Sequence, residues 1–225
     1  MSNNGESLIE DLVSNPSLFF NEGRSYHLLQ AYFKGLPLDT LIPLLQSEQK
    51  DIQKTAVWII SELGNKACSL ISYVVPLVNN ELPYLRYYAL ECILLCAEGR
   101  NVSYFKHIFK AIEDEEDYIR IFAMQLFSNA SDNQIGNLIH SMADEKAINI
   151  VSYRLGIEKL LHYSKLNHNE ILDMLNSIEP GTQKVGAMIA KKRYHTDSDL
   201  LNYALSSNNS DVSEFSRMEL EILKE

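Results

Sequence analysis

The chain has 225 residues, of which 46% are hydrophobic, so it is long enough to bury a sizeable core. It has only 9 Gly and 6 Pro, which argues against an all-β protein with many turns. Its 30 acidic and 20 basic side chains give a formal charge of −10, so the clustered positive charge of a nucleic-acid-binding surface is not expected.

Hydrophobic periodicity predicts helices along the whole chain, arranged in antiparallel pairs. The predicted pairs are 6–14 with 24–34, 37–47 with 50–63, 67–79 with 82–97, 102–113 with 116–129, 132–143 with 146–163, 168–177 with 182–193, and 197–206 with 211–224. No segment combines strand-like alternation with hairpin-turn residues. The sequence therefore predicts an all-α fold, an α–α superhelix of about six to seven helix pairs.

An internal repeat supports this fold. Segment 42–48 aligns with 75–81, 33 positions later, and segment 85–89 aligns with 119–123, 34 positions later. The equivalent small residues of the second helices are Ala56, Ala89 and Ala123. A single helix pair could not bury its apolar face, whereas stacked pairs share a core.

The organisation predicted from these repeats is one domain over residues 1–225. It comprises an N-terminal cap pair (1–35), clear repeats (36–130) and divergent repeats (131–225). Gly64 is predicted to end the helix before it, because glycine readily adopts the left-handed conformation past a helix end.

A cytoplasmic location is expected. Residues 1–10 have no basic stretch followed by an apolar one. The sequence also contains no run of about 18 apolar residues, the length needed to span a membrane. The three cysteines, Cys68, Cys92 and Cys96, are predicted to form no disulfide framework, which fits a reducing compartment.

The repeats resemble a known family. The motifs Leu85-Arg86-x-x-Ala89 and Ile119-Arg120-x-x-Ala123 resemble the second-helix signature of HEAT repeats, and the resemblance is clear for residues 36–130. Gln53 stands where this signature has arginine. The predicted superhelix is therefore a HEAT-like solenoid.

A narrower resemblance is carried by segments 29–38, 41–45 and 56–64, which are similar to a group of small bacterial HEAT-repeat proteins. Some members of this group resemble immunity proteins of polymorphic or contact-dependent growth inhibition toxins. The resemblance implies a protein-binding module that neutralises a cognate toxin by occluding it. The partner would be a toxin domain with a basic surface.

Candidate partner-binding residues follow from the second helices, which line the concave surface of a HEAT solenoid. Trp58 lies off the core face of its helix, and Trp, Tyr and Arg are common binding hot spots. The predicted stripe consists of Lys54, Trp58, Glu62, Tyr87, Glu91, Gln125, Asn129, Arg154 and Glu158. The alternative is that Trp58 packs against the preceding helix pair.

An acidic loop is a second candidate site. Five consecutive carboxylates, Glu113, Asp114, Glu115, Glu116 and Asp117, connect two predicted helices. They could contact a basic partner or a divalent cation, although their spacing does not match an EF-hand loop. The alternative is a solvated turn that also caps the helix beginning near Glu116.

Residues with catalytic or metal-binding chemistry form no recognisable motif. Cys92 and Cys96 lie one turn apart, but a zinc site needs about four ligands, so buried packing is favoured. The six histidines are His27, His107, His140, His162, His168 and His195. No hydrolase, phosphate-loop or dinucleotide motif accompanies them, so we expect no catalytic residue, no metal and no cofactor.

Three other functions stay open at this point. An adaptor or scaffold protein would use the same surface without inhibiting its partner. A DNA glycosylase of HEAT-like architecture would need a basic concave face, which the charge of −10 argues against. A chromophore lyase of the HEAT type is a weaker possibility.

Overall fold

The computed structural model describes residues 3–142 and 148–224, and these residues form helices and turns without a β-strand. The α-helices are α1 (Asn3–Ser14), α2 (Pro16–Asn21), α3 (Arg24–Phe33), α4 (Leu41–Leu45), α5 (Lys50–Leu63), α6 (Ile71–Val74), α7 (Pro83–Cys96), α8 (Lys106–Ala111), α9 (Asp117–Ser128), α10 (Asp132–Met142), α11 (Ile148–Leu161), α12 (His168–Leu175), α13 (Pro180–Arg193), α14 (Ser198–Ala204) and α15 (Ser210–Ile222). The all-α fold of consecutive helix pairs is confirmed. No helix of the described part is long and apolar enough to cross a membrane.

The chain divides into two compact units. Unit 1 ends at Cys96 and contains α1 to α7, and unit 2 begins at Ala97 and contains α8 to α15. In unit 1, α5 packs between α3 and α7. In unit 2, α13 packs against α9, α11, α12, α14 and α15. That residues 1–225 act as one domain stays a prediction.

The first helices of the early repeats are shorter than predicted. Segment 37–47 forms a 3-10 helix, Leu38–Thr40, followed by α4, and segment 67–79 forms α6 between two 3-10 helices, Gly64–Leu70 and Val75–Asn79. Pro43 and Pro76 explain part of this difference, because proline cannot donate the hydrogen bond of a helix interior and is tolerated only in a first turn.

The second helices match their predicted ranges closely. They begin at Lys50, Pro83, Asp117 and Pro180, within two residues of the predicted starts. Gly64 ends α5 with φ +56°, as its position in the sequence predicted. The fully buried residues of α5 include Ala56 and Ile59, which are three positions apart and so share one face of the helix.

A repeated turn precedes the second helices and was overlooked in the sequence. Three residues before the start of five of these helices, a short polar side chain accepts a hydrogen bond from the backbone N–H two residues later, over 3.0–3.2 Å. These residues are Ser47, Asn80, Asp114, Ser177 and Ser207. The side chain replaces a backbone partner in the turn and so fixes the entry into the helix.

The fourth residue of four second helices closes the same turn. Arg86 donates to the Asn80 carbonyl and Arg120 donates to the Asp114 carbonyl, each over 2.9 Å. Gln53 replaces arginine and still donates to a backbone carbonyl, that of Leu45, over 2.9 Å. Gln183 likewise donates to the Ser177 carbonyl over 2.7 Å. The arginine of the repeat signature therefore has a structural role within its own helix pair.

Candidate functional site

One face of unit 1 combines aromatic rings with carboxylates. Helix α5 contributes Lys54, Trp58 and Glu62, which are four residues apart and therefore share a face. Helix α7 packs beside α5, and the remaining members come from α7 and α2. We call this set the aromatic–acidic face: Phe20, Lys54, Trp58, Glu62, Tyr84, Tyr87, Tyr88 and Glu91. It contains all five residues that the sequence predicted in this unit.

Trp58 packs against an earlier helix, which is the alternative considered from the sequence, and its role in partner binding stays a prediction. Its ring meets the ring of Phe20 edge to face, with centroids 5.8 Å apart, so it packs against the preceding helix α2. Trp58 nevertheless remains half-buried, and part of its ring is exposed. The Lys54 ammonium lies 4.4 Å from the Phe20 centroid and 5.2 Å from the Tyr84 centroid. These cation–π contacts hold the Lys54 ammonium over the two aromatic rings.

Glu62 and Glu91 form the acidic end of the face. Glu91 is half-buried on α7. Burial and the neighbouring charge of Glu62 both raise the pKa of the Glu91 carboxyl, so the two carboxylates repel each other. Within the described ranges, neither Glu62 nor Glu91 has a cationic partner at ion-pair distance. A bound cation would relieve this repulsion.

Two tyrosines flank these carboxylates. The rings of Tyr87 and Tyr88 meet edge to face, with centroids 5.5 Å apart. Burial raises the pKa of both phenols, and the charge of Glu91 raises it further. Their hydroxyls therefore stay protonated at neutral pH and can donate hydrogen bonds. Aromatic rings beside carboxylates are suited to the ammonium or guanidinium group of a basic side chain.

The predicted stripe residues of unit 2 lie in different surroundings. Asn129, the residue directly after α9, accepts a hydrogen bond from Lys191 of α13, and Gln125 is half-buried on α9. Glu158 is half-buried on α11, and the side chain of Arg154 lies outside the described residues. Asn129 is thus engaged inside unit 2, because α9 packs directly against α13. A partner-binding role for these residues stays a prediction.

The acidic loop forms the turn before α9. The Asp114 carboxylate accepts the Glu116 N–H over 3.0 Å, and Arg120 donates to the carbonyls of Asp114 and Glu115 over 2.9 and 3.1 Å. Asp117 is the first residue of α9, where a carboxylate interacts favourably with the helix dipole. These contacts favour the alternative of a structural turn over a cation site. No group of acidic, His or Cys residues in the described chain is arranged to hold a metal.

Glu113 is joined to a buried ion network that sequence reasoning missed. Its carboxylate accepts hydrogen bonds from the Tyr153 hydroxyl and from Lys184, the latter over 2.9 Å. Lys184 is 3% exposed, also donates to the Ile112 carbonyl, and lies 3.1 Å from Asp211. Lys184 is 71 positions from Glu113 and Tyr153 is 40 positions from it, so no local pattern could indicate these contacts.

The cysteines differ from their prediction. Cys68 and Cys96 form a disulfide with their Cα atoms 5.1 Å apart, so the expectation that the three cysteines are unpaired is wrong. The pairing arises because the 3-10 helix after α5 brings Cys68 to the last residue of α7, a contact that cysteine spacing does not reveal. Cys92 remains a buried free thiol, as predicted.

The histidines do not converge on one site in the described structure. His168 pairs with Asp197 over 2.8 Å, and His140 contacts the Gly136 carbonyl over 2.7 Å. Burial, followed by the charges of Lys106 and Lys110, lowers the pKa of His107.

No protein-family model and no curated protein matches the chain. Three of the solved structures that it resembles are crystal structures of engineered proteins. Their identities are 15%, 15% and 14%, with TM-scores of 0.43, 0.45 and 0.42. The matches cover 83%, 88% and 84% of this chain and 96%, 61% and 99% of the other chains. Similarity at this level carries no argument about function.

Proposed function

We propose that the chain is a protein-binding helical-repeat module of the HEAT type whose aromatic–acidic face binds a basic surface of its partner. The observation that carries this proposal is the pair Glu62 and Glu91, two neighbouring carboxylates without a described cationic partner beside Tyr87 and Tyr88. Holding like charges together is unfavourable in the isolated chain. A partner's arginine or lysine would make this arrangement favourable in the complex.

The specific function that we propose is that of a bacterial immunity protein, which neutralises a cognate toxin by covering its basic catalytic or substrate-binding surface. Support comes from the resemblance of segments 29–38 and 56–64 to that group of proteins. The formal charge of −10 would speed encounter with a basic toxin domain, and the ring of Trp58 offers an aromatic anchor. We propose no catalytic role, cofactor, nucleic acid or membrane contact.

The cytoplasmic location stays a prediction, and one argument for it no longer holds. It depended on unpaired cysteines, whereas Cys68 and Cys96 form a disulfide, which persists more readily in oxidising compartments. A toxin-binding protein could meet its partner in either kind of compartment, so the proposed function does not depend on this point.

The test is capture of a partner by three versions of the chain. The first is the natural sequence, the second carries Glu62→Gln and Glu91→Gln, and the third carries Glu10→Gln and Glu48→Gln. Glu10 and Glu48 are exposed carboxylates of the same unit, so both double variants change the net charge equally. We expect a basic protein, identified by mass spectrometry, to be retained by the first and third versions and lost by the second.

Equal retention by all three versions would contradict binding at this face. If a partner is retained as expected, expression of its gene with and without this chain separates inhibition from scaffolding. Rescue of growth supports an immunity protein, whereas binding without inhibition would make the chain an adaptor. Salt-dependent binding to duplex DNA instead of protein would revive the glycosylase alternative.

A further inference from the structure

The disulfide of unit 1 closes one helix pair of the repeat. Cys68 lies in the 3-10 helix Gly64–Leu70, directly after α5, and Cys96 is the last residue of α7. The two cysteines are 28 positions apart, and the chain between them contains α6, the 3-10 helix Val75–Asn79 and nearly all of α7. The covalent bond therefore ties the beginning of this pair to its end.

Such a bond stabilises the folded pair mainly through the unfolded chain. Closing a loop of this length removes conformational freedom that the unfolded chain would otherwise have. The 3-10 helix that contains Cys68 is also anchored apart from the bond, because its residues Ala67 and Leu70 are buried in unit 1. The reduced chain is thus expected to keep its fold with lower stability.

The surroundings of the three cysteines assign them different reactivity. Cys68 is half-buried, whereas Cys96 is 5% exposed, so a reagent from solvent reaches the Cys68 sulfur first. Cys92 lies one turn before Cys96 and is 2% exposed. Burial raises the pKa of the Cys92 thiol, so it provides almost no thiolate to attack the neighbouring disulfide.

We propose that Cys68–Cys96 is a reversible redox site which locks the helix pair between these residues under oxidising conditions and loosens it when a dithiol reduces it. This inference goes beyond the proposed function and does not depend on it. It identifies the ligand class of the site as a soluble dithiol, such as dithiothreitol or a dithiol oxidoreductase.

The exchange is balanced in two steps. One thiolate of the dithiol attacks the Cys68 sulfur, forms a mixed disulfide and releases the Cys96 thiolate, which takes up a proton. The second thiolate of the dithiol then attacks its own mixed-disulfide sulfur and releases Cys68, which is protonated in turn. The protein gains two electrons and two protons, and the dithiol leaves as its cyclic disulfide.

The first test counts thiols in the full chain prepared under air. Denaturation with an alkylating reagent and mass measurement should give one modified cysteine without reductant and three after dithiothreitol. Three modified cysteines before reduction would overturn the proposal.

The second test measures thermal unfolding with and without the dithiol. We expect reduction to lower the midpoint by on the order of 5–10 °C. Limited proteolysis should then show new cleavage between residues 69 and 95. The same shift is expected in the Cys92→Ala variant, which retains the disulfide, whereas Cys68→Ser with Cys96→Ser should show none. An unchanged midpoint in the natural chain, or a dithiol effect that persists in the double variant, would overturn the proposal.

Discussion

The carboxylate of Asp211 is buried in unit 2 and depends on two cations for its ionised form. Arg120 donates two hydrogen bonds of 2.9 Å to it, and Lys184 lies 3.1 Å away. Burial opposes ionisation of Asp211, but these two partners outweigh it and lower its pKa below the ordinary value. The network therefore requires an ionised carboxylate in the folded chain.

This lowered pKa predicts loss of stability in acid. A carboxyl whose folded pKa lies below its unfolded value contributes stability above the unfolded pKa, about 3.9, and loses it as the pH falls through the folded pKa. Asp211→Asn should reduce stability at pH 7 and flatten the decline below about pH 4. Urea unfolding of both chains between pH 2.5 and 7 measures this, and parallel pH profiles would contradict it.

Trp58 is expected to contribute to both folding and partner binding. Trp58→Ala removes a half-buried ring and its contact with Phe20, so we expect a loss of about 2 kcal/mol in the free energy of unfolding. Affinity for the captured partner should fall at least about tenfold. Trp58→Phe is the matched control that keeps a ring. Natural affinity in the folded Trp58→Ala chain would argue against the aromatic–acidic face.

At the scale of elements, close packing between α11 and α13 depends on a glycine, which has no side chain, at position 181. A Cβ on Gly181, near the start of α13, would lie 2.6 Å from the ring of Tyr153 on α11. The hydroxyl of Tyr153 donates to Glu113, so displacing its ring would also disturb the ion network. Gly181 thus links the spacing of two helices to the position of the acidic loop.

Two glycine substitutions should therefore have opposite effects. Gly181→Ala overpacks the contact with Tyr153 and should cost about 1–3 kcal/mol in the free energy of unfolding. Gly136→Ala, within α10, meets nothing within 4 Å and should stabilise the chain by up to about 1 kcal/mol. Denaturant unfolding of both variants measures the difference. Equal effects would contradict the packing argument.

For the whole molecule, net charge is expected to govern how fast a partner is met. At a formal charge of −10, attraction to a basic protein acts over the screening length of the solution, about 10 Å at 0.1 M salt. This long-range term raises the association rate much more than it lowers the dissociation rate. The proposed function therefore predicts a salt-dependent association rate, which can be measured without knowing which residues form the interface.

The association rate with the captured partner should fall at least about tenfold between about 0.05 M and 0.5 M salt, while the dissociation rate changes little. Stopped-flow or surface-based kinetics over this range would measure both rates. An association rate that does not depend on salt would argue against a basic partner surface, whatever its identity.

The sequence alone determined the features that depend on neighbours along the chain. Periodicity placed Lys54, Trp58 and Glu62 on one face of α5, and the repeat located the second helices, because a helix is built from contacts three and four residues apart. The turns before these helices also depend only on residues two positions apart, so aligning the repeats could have revealed their shared polar residue.

The tertiary structure decided which distant residues meet. It placed Phe20 against Trp58, paired Cys68 with Cys96, and joined Arg120 to Asp211 across 91 positions. Such contacts depend on the route of the chain between helices and on how their faces pack, and neither is encoded in the spacing of any one segment. The lack of a cationic partner for Glu62 and Glu91 in the described chain is also a tertiary feature, because it depends on which cations the fold brings near them.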